Sequence, residues 1–508
     1  MARSFSRKLI RAVGAGVATL ALTAASLAAA QPSVAQPTTG STESSPTSSA
    51  EQQTLRTVDG RYLVALAGSQ AADGSFDLTG TRAAVKTLVA SAGGSIVANM
   101  SKQIGVLVVR SDNPAFAEVL SASSLVTSVG NDFGIKMYAA DAPDPSADPL
   151  ESQQWDMQQI RTEQAHAKQA GVRAVDVGVL DSGIDGRHPD FTKGGVSNVD
   201  CARGRDSLAV LPPGVAVGTP DPCIDNQFHG THVAGTIGAR ANGLGIVGVA
   251  PNVTLVPVKV CDSTGYCYAS PVVDGITYAG DQKFDVINMS FFVDDNEFQE
   301  STEFKCSSDP VQRTFRHAVE RAMSYARSQG VTPVAALGNS DTDLAHPQEE
   351  QGVTNECEVV PAETQGVIGT AALGRNSEKA RYSNYGTGAT DVAAPGGNGF
   401  TGDCNRTVLS TIPGGGYVCI QGTSMASPHA AGVAALIVSQ FGRLGADGDV
   451  KMPPQKVEDY MQSSTIDIGL RGYDECFGNG RIDALRAVRH DTSRAYDATA
   501  PACPEYAE

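Results

Sequence analysis

Four short runs constrain the fold of this chain more than anything else in it: "VDVGVLD", "VTLVPVKV", "FDVINMS" and "VTPVAALGN", all downstream of Trp155. Each is rich in β-branched residues, and none alternates polar with apolar. A strand with one wet face alternates, whereas parallel strands in α/β proteins are covered on both faces and do not. Between and after these runs lie stretches with helical spacing, "HGTHVAGTIGA", "QRTFRHAVERAMSYARSQG" and "QGTSMASPHAAGVAALIVSQF". Strand alternating with helix predicts an α/β fold, a mostly parallel sheet with helices on both faces. Chemistry in such sheets gathers at the carboxyl ends of the strands. The 54 glycines among 508 residues supply the many tight turns that such a chain needs.

Upstream the pattern is different. Residues 61–138 contain "RYLVALA", "TRAAVKTLVASAG", "GSIVANM", "IGVLVVR", "NPAFAEVLSAS" and "VTSVGNDFGIKMY". Their order, βαββαβ, predicts a small α+β unit of the split, ferredoxin-like kind. "AADAPDPSADP", 139–149, breaks all periodicity and reads as an exposed boundary. Residues 31–56 are rich in Ser, Thr, Pro and Gln and read as a disordered linker. In residues 1–30, Arg3, Arg7, Lys8 and Arg11 precede an Ala/Leu/Val run with small-residue cleavage patterns, the make-up of a secretory signal peptide. The expected division is therefore 1–30 signal, 31–56 linker, 57–139 small unit and 140–508 main domain, in a secreted protein. No later stretch is long and apolar enough to span a bilayer, so no membrane contact is expected once the signal is removed.

Cysteine usage agrees with export. All ten cysteines lie at or beyond Cys201, and an even count in an exported chain predicts five disulfides. Pairing of sequence neighbours is the simplest scheme, although sequence alone leaves the connectivity open. There is no C-x-x-C pair, which argues against a zinc ribbon. The net charge of −17 argues against a nucleic-acid partner.

Four polar residues stand where strands end or helices begin. Asp181 ends "VGVLD", His229 opens "HGTHVAGT", Asn339 follows "PVAALG", and Ser424 sits at the start of the last long helical stretch. Singly each has an ordinary structural use: a turn cap, a buried imidazole, a turn, a helix N-cap. Together they meet the four needs of acyl transfer. A hydroxyl needs a base, the base needs a carboxylate to orient it, and the oxyanion needs donors. Here "LDSGIDGRHPD", "HGTHVAGT", "NMS", "ALGN" and "GTSMASPHAAGVAAL" resemble the motif set of the subtilases, the subtilisin-like serine peptidases, in that family's order Asp, His, Ser.

The resemblance covers roughly residues 150–490. It implies a secreted serine endopeptidase with a subtilisin-like fold, in which Ser424 attacks the scissile carbonyl. His229 moves the proton, Asp181 orients His229, and Asn339 with the Ser424 N–H holds the oxyanion. It implies that 57–139 is an inhibitory propeptide and the chain a self-processing zymogen. It also implies peptide or protein substrates, a monomer, and no cofactor for catalysis. The Cys-bearing loops and the segment between Ser290 and Gly330 look most like those of secreted actinobacterial members.

Departures from the family pattern bear on substrate choice. Ser290 is followed by Phe291 and Phe292 where Leu-Gly is common, and an ungapped match puts Val359 at the floor of the pocket for the residue before the cut. Ser290, Phe291, Phe292 and Val359 are thus the expected substrate-binding residues, and the added bulk leans toward small or medium apolar residues. "GLGIVG", 243–248, has the spacing of a dinucleotide loop but follows a helix and precedes a strand, the reverse of such a site. Under the resemblance this loop matches one that often binds structural calcium, with Glu151, Asp190 and Asn242 at side-chain ligand positions. His232 is expected to be structural, since it does not form an H-x-x-x-H pair with His229. The alternatives are an inactive scaffold on the same fold, an α/β-hydrolase-type esterase, and a dedicated maturation peptidase. The Asp, His, Ser and Asn set speaks against the first and the residue order against the second. The third stays open beside a broad degradative enzyme.

Overall fold

The computed structural model describes residues 56–71, 75–78, 82–136, 150–291, 310–345, 349–350, 353–354, 358–445, 448 and 450–503. The signal, almost all of the linker, the 139–149 boundary and Phe292 lie outside them.

The first described elements are β1 (Arg56–Leu66), α1 (Arg82–Ser91), β2 (Gly94–Met100), β3 (Val106–Ser111), α2 (Phe116–Ser121) and β4 (Val126–Lys136). The four strands form an antiparallel sheet in the order β4-β1-β3-β2. Val64, Leu107, Val109 and Val129 of the sheet pack with Val85 and Val89 of α1 and with Phe116 and Leu120 of α2.

Downstream come β5 (Asp176–Asp181), β6 (Arg205–Asp206), α3 (His229–Gly238), β7 (Thr254–Lys259), β8 (Tyr266–Tyr268), α4 (Ala269–Gln282), β9 (Val286–Met289) and α5 (Pro310–Ser328). They are followed by β10 (Thr332–Ala336), β11 (Ile368–Leu373), β12 (Val392–Pro395), β13 (Val408–Ile412), β14 (Gly416–Ile420) and α6 (Thr423–Phe441). Among the described residues the main sheet has seven strands in the order β6-β7-β5-β9-β10-β11-β12. Every pairing in it is parallel, as the unalternating apolar runs imply. Side chains alternate between two cores. Leu180, Val258 and Ile287 pack with Ile276 of α4 and Ala318, Val319 and Ala322 of α5. Val177, Val179, Leu255 and Val334 face Val233 and Ile237 of α3 and Ala430, Val433 and Ala434 of α6. Burying one such Val or Ile side chain contributes about 1.5–3 kcal/mol, which works against the conformational entropy lost when the strands and helices are ordered.

The strand order reverses at β5, which lies between β7 and β9 although it precedes both in sequence. A crevice opens beyond the carboxyl ends of strands at such a point.

The antiparallel unit packs on α4 and α5. The end of β4 pairs with β8, Tyr266 opposite Lys136 and Tyr268 opposite Gly134. Phe133 meets Phe315 edge to face, with centroids 5.1 Å apart. Arg321 of α5 donates to the Leu66 carbonyl (3.2 Å) and lies 4.6 Å over the Phe76 ring. Helix α4 has no side-chain cap of its own. Its cap is Asp132 of β4, which accepts from the Ser270 N–H (2.8 Å) and the Ser270 hydroxyl. Burial pushes the Asp132 carboxyl up to about 6, against the lowering pull of the Ser270 donors.

Disulfides join Cys201 to Cys223, Cys261 to Cys267, Cys404 to Cys419 and Cys476 to Cys503. All four join sequence neighbours among the cysteines; Cys306 and Cys357 lie outside the described residues.

Candidate active site

Asp181, the last residue of β5, is wholly buried. His229 is the first residue of α3, and its Nδ1–H donates to Asp181 Oδ1 (2.9 Å) and Oδ2 (3.0 Å). The carboxylate therefore fixes the tautomer, leaving Nε2 as the basic nitrogen, and Nε2 has no partner. Burial pulls the imidazolium down, but Asp181 and then Asp225 pull it up, and the balance leaves His229 above the ordinary imidazole range. This close approach needs Gly230: a β-carbon there would collide with the Gly183 carbonyl oxygen.

Ser424 is the second residue of α6, so its N–H is among the first four that find no carbonyl within the helix. Its Oγ donates to the Ser290 carbonyl at 3.0 Å. The Ser424 carbonyl has an unusual partner for a reason written in the sequence. Its helical donor would be the N–H of residue 428, which is a proline inside the helix. The Ser290 hydroxyl donates to it instead, at 2.9 Å. Asn288 Nδ2 donates to Ser290 Oγ (2.9 Å), and Ser427 Oγ donates to Asn288 Oδ1 (2.7 Å), so β9 and α6 are tied side chain to side chain.

Asn339 lies three residues beyond β10. Its Oδ1 accepts from Thr423 N–H (2.9 Å) and Thr423 Oγ (2.8 Å). That turns the Nδ2 donors toward Gly422, where a β-carbon would stand 3.8 Å from Nδ2 and 3.6 Å from Ser424 N. Two donors thus flank a site kept open by the missing side chain at Gly422. A hydroxyl, a buried carboxylate–imidazole pair and two convergent donors can together perform acyl transfer.

The remaining expected residues fall as follows. Ser290 is buried and spends its hydroxyl and carbonyl on Ser424. Phe291 and Val359 are buried in the core between the sheet, α4 and α5. Asp190 is buried, with Oδ2 accepting from Ile246 N–H (2.9 Å); burial pushes its carboxyl up to about 7, against the lowering pull of Ile246 N–H and of the Tyr417 and Asn242 side chains. Asn242 turns Oδ1 to Leu244 N–H and donates Nδ2 to the Pro189 and Thr192 carbonyls. Glu151 is exposed on a short 3₁₀ turn. His232 is buried with Nε2 on the Val418 carbonyl, and burial pushes it down to about 3, so it is neutral. Sequence reasoning passed over Ser182, Asp225 and Thr231. Their only signal was their place within a few residues of Asp181 and His229.

The family model described as Subtilase family matches residues 173–480. Subtilisin NAT of Bacillus subtilis subsp. natto is 32% identical over 334 residues, covering 65% of this chain and 70% of that one. Subtilisin of Bacillus pumilus is 32% identical over 334 residues, covering 65% and 97%. Among solved structures, an epidermin leader peptide processing serine protease from Staphylococcus aureus matches with a TM-score of 0.66 and 21% identity, covering 87% of this chain and all of that one.

Proposed function

The chain belongs to the subtilase family and is a subtilisin-like serine endopeptidase, and from this premise we propose that it is a secreted, self-processing enzyme whose catalytic residues are Asp181, His229, Ser424 and Asn339. The observation that carries the reading is the Asp181–His229 pair with a free Nε2 at the strand ends where α6 delivers Ser424. When substrate enters, Ser424 Oγ leaves the Ser290 carbonyl for His229 Nε2, gives up its proton there and attacks the scissile carbonyl. The new oxyanion is held by Asn339 Nδ2 and Ser424 N–H. Imidazolium, stabilised by Asp181, then returns the proton to the leaving amine, and water repeats the sequence to release the acyl group. Labelling by an activated fluorophosphonate tests this: the label should map to Ser424, and an unlabelled active protein would refute it.

The unit at 57–139 is the inhibitory propeptide in this reading. It is supported by Asp132 capping α4, by β4 pairing with β8, and by Arg321 gripping Leu66. It is cut off between Tyr138 and Leu150, and the mature enzyme is a monomer outside the cell.

The pocket for the residue before the cut involves Ser290, Phe291, Phe292 and Val359. Added bulk there discriminates by about 1–3 kcal/mol per methylene, a bias rather than a bar. In a peptide series with Ala, Leu, Phe or Lys at that position, Ala or Leu should be cut fastest. Preference for Phe or Lys would mean that the pocket is lined by other residues.

A calcium ion near 240–247 belongs to this proposal, with Glu151, Asp190 and Asn242 as its side-chain ligands; it is supported by the buried Asp190 carboxyl, which meets that loop at Ile246 N–H, carboxyl and amide oxygens being the hard donors such an ion takes. Calcium should then raise the melting temperature, and Asp190→Asn should abolish the rise. If calcium does nothing to the unaltered protein, the loop holds no such ion.

A further inference from the structure

The turn that leads into α3 is strained. Phe228, directly before His229, has φ 108° and ψ −25° and is buried. A bulky residue takes such a conformation at a cost of order 1–3 kcal/mol, and only where its surroundings over-determine it. Here the Phe228 ring packs in the core, Gln227 Oε1 accepts from His229 N–H (2.7 Å), and one carboxylate gathers most of the remaining donors. Asp225, 6% exposed, accepts five hydrogen bonds. Oδ1 takes the N–H groups of Gln227 and Phe228 and the Ser182 hydroxyl, each at 2.9 Å. Oδ2 takes Thr231 N–H (2.9 Å) and Thr231 Oγ (2.7 Å). Ser182 closes the circuit. Its N–H donates to Asp181 Oδ1 (2.8 Å), and its Oγ accepts from Gly230 N–H (3.0 Å). The carboxylate that orients His229 and the turn that presents His229 are thereby joined through a single hydroxyl.

We propose that Asp225 is a positioning residue for the peptidase reaction: through Ser182 and the Phe228 turn it fixes the imidazole of His229 against Asp181, and it places a second negative charge beside that imidazole.

The charges around this circuit come from several elements. Asp181 on β5 and Asp225 on the turn both act on His229. His232 lies further along α3, under the influence of His229 and of His429 on α6. Lys259, at the end of β7, feels Asp225 and donates to the Thr219 and Ile224 carbonyls. With Asp181 retained, removing the Asp225 charge makes the imidazolium less stable. The acid limb of kcat/KM, which reports free His229 losing its proton, should then move to lower pH.

The inference rests on His229 being the general base, and the test separates the two. Full-chain protein is compared with Asp225→Asn and Ser182→Ala, each normalised by fluorophosphonate titration, and with Ser424→Ala, normalised by protein concentration. Asp225→Asn should lower kcat by roughly 10–10²-fold, the order expected for a misplaced catalytic group, with KM little changed and the acid limb moved by a few tenths of a unit or more. Ser182→Ala cuts the circuit but keeps the charge, so kcat should fall with the limb unmoved. If Asp225→Asn leaves the limb where it was, Asp225 is only a helix cap and the proposal falls. If that variant does not fold, Ser182→Ala decides, and an unchanged kcat there overturns the proposal. An inactive unaltered protein, or an active Ser424→Ala, would instead remove the catalytic reading beneath it.

Discussion

Replacing Ser424 with alanine is expected to lower turnover by roughly 10⁶-fold, the size of the loss when the nucleophile is removed from subtilisin itself. Without Oγ there is no acyl intermediate, and only binding and the oxyanion donors remain to accelerate hydrolysis. The same variant should accumulate as a chain uncut between Tyr138 and Leu150 when no other protease is present. The two readouts fail separately. Full activity in Ser424→Ala removes the nucleophile assignment. Normal trimming in the inactive variant removes self-processing and leaves the chemistry intact.

Asn339→Ala should cost about 10²–10³ in kcat, roughly 2.7–4 kcal/mol, again the subtilisin value for an oxyanion donor. Its Oδ1 is already held by Thr423, so Nδ2 is preorganised and gains its full strength only when charge develops on the substrate oxygen. KM should therefore change little, because interactions made only in the transition state appear in kcat. A variant that raises KM and spares kcat would show that Asn339 binds the substrate's ground state. Asn339→Asp, which keeps the shape but replaces both Nδ2 donors with an acceptor, should be at least as damaging.

The parallel sheet was legible in the sequence because burial on both faces writes itself as unbroken β-branched runs, and β5, β7, β9 and β10 fall on the four runs that predicted them. Asp181, His229, Asn339 and Ser424 were legible as polar residues at element ends, and the fold brings all four ends to one side of the sheet. Four neighbour pairings of the cysteines also emerged, since short loops bring such cysteines within reach. Substrate choice was not legible. Phe291 and Val359 are buried alike in the core between the sheet, α4 and α5, and how their bulk shapes a pocket depends on packing between distant elements, which no local pattern records.

What the sequence by itself determined is local: which runs are strands, where helices start, and that Pro428 would leave a carbonyl without its donor. Periodicity, turn chemistry and a missing N–H act over a few residues and need no partner. What only the tertiary structure decided is who answers those local needs. The Ser290 hydroxyl, 134 positions upstream, satisfies the carbonyl of Ser424. Asp132, 138 positions upstream of Ser270, caps α4. Ser182, 43 positions upstream, anchors the Asp225 carboxylate that holds the Phe228 turn. Each is a contact between residues distant in the chain, and its free energy exists only once the packed sheet has brought the two together.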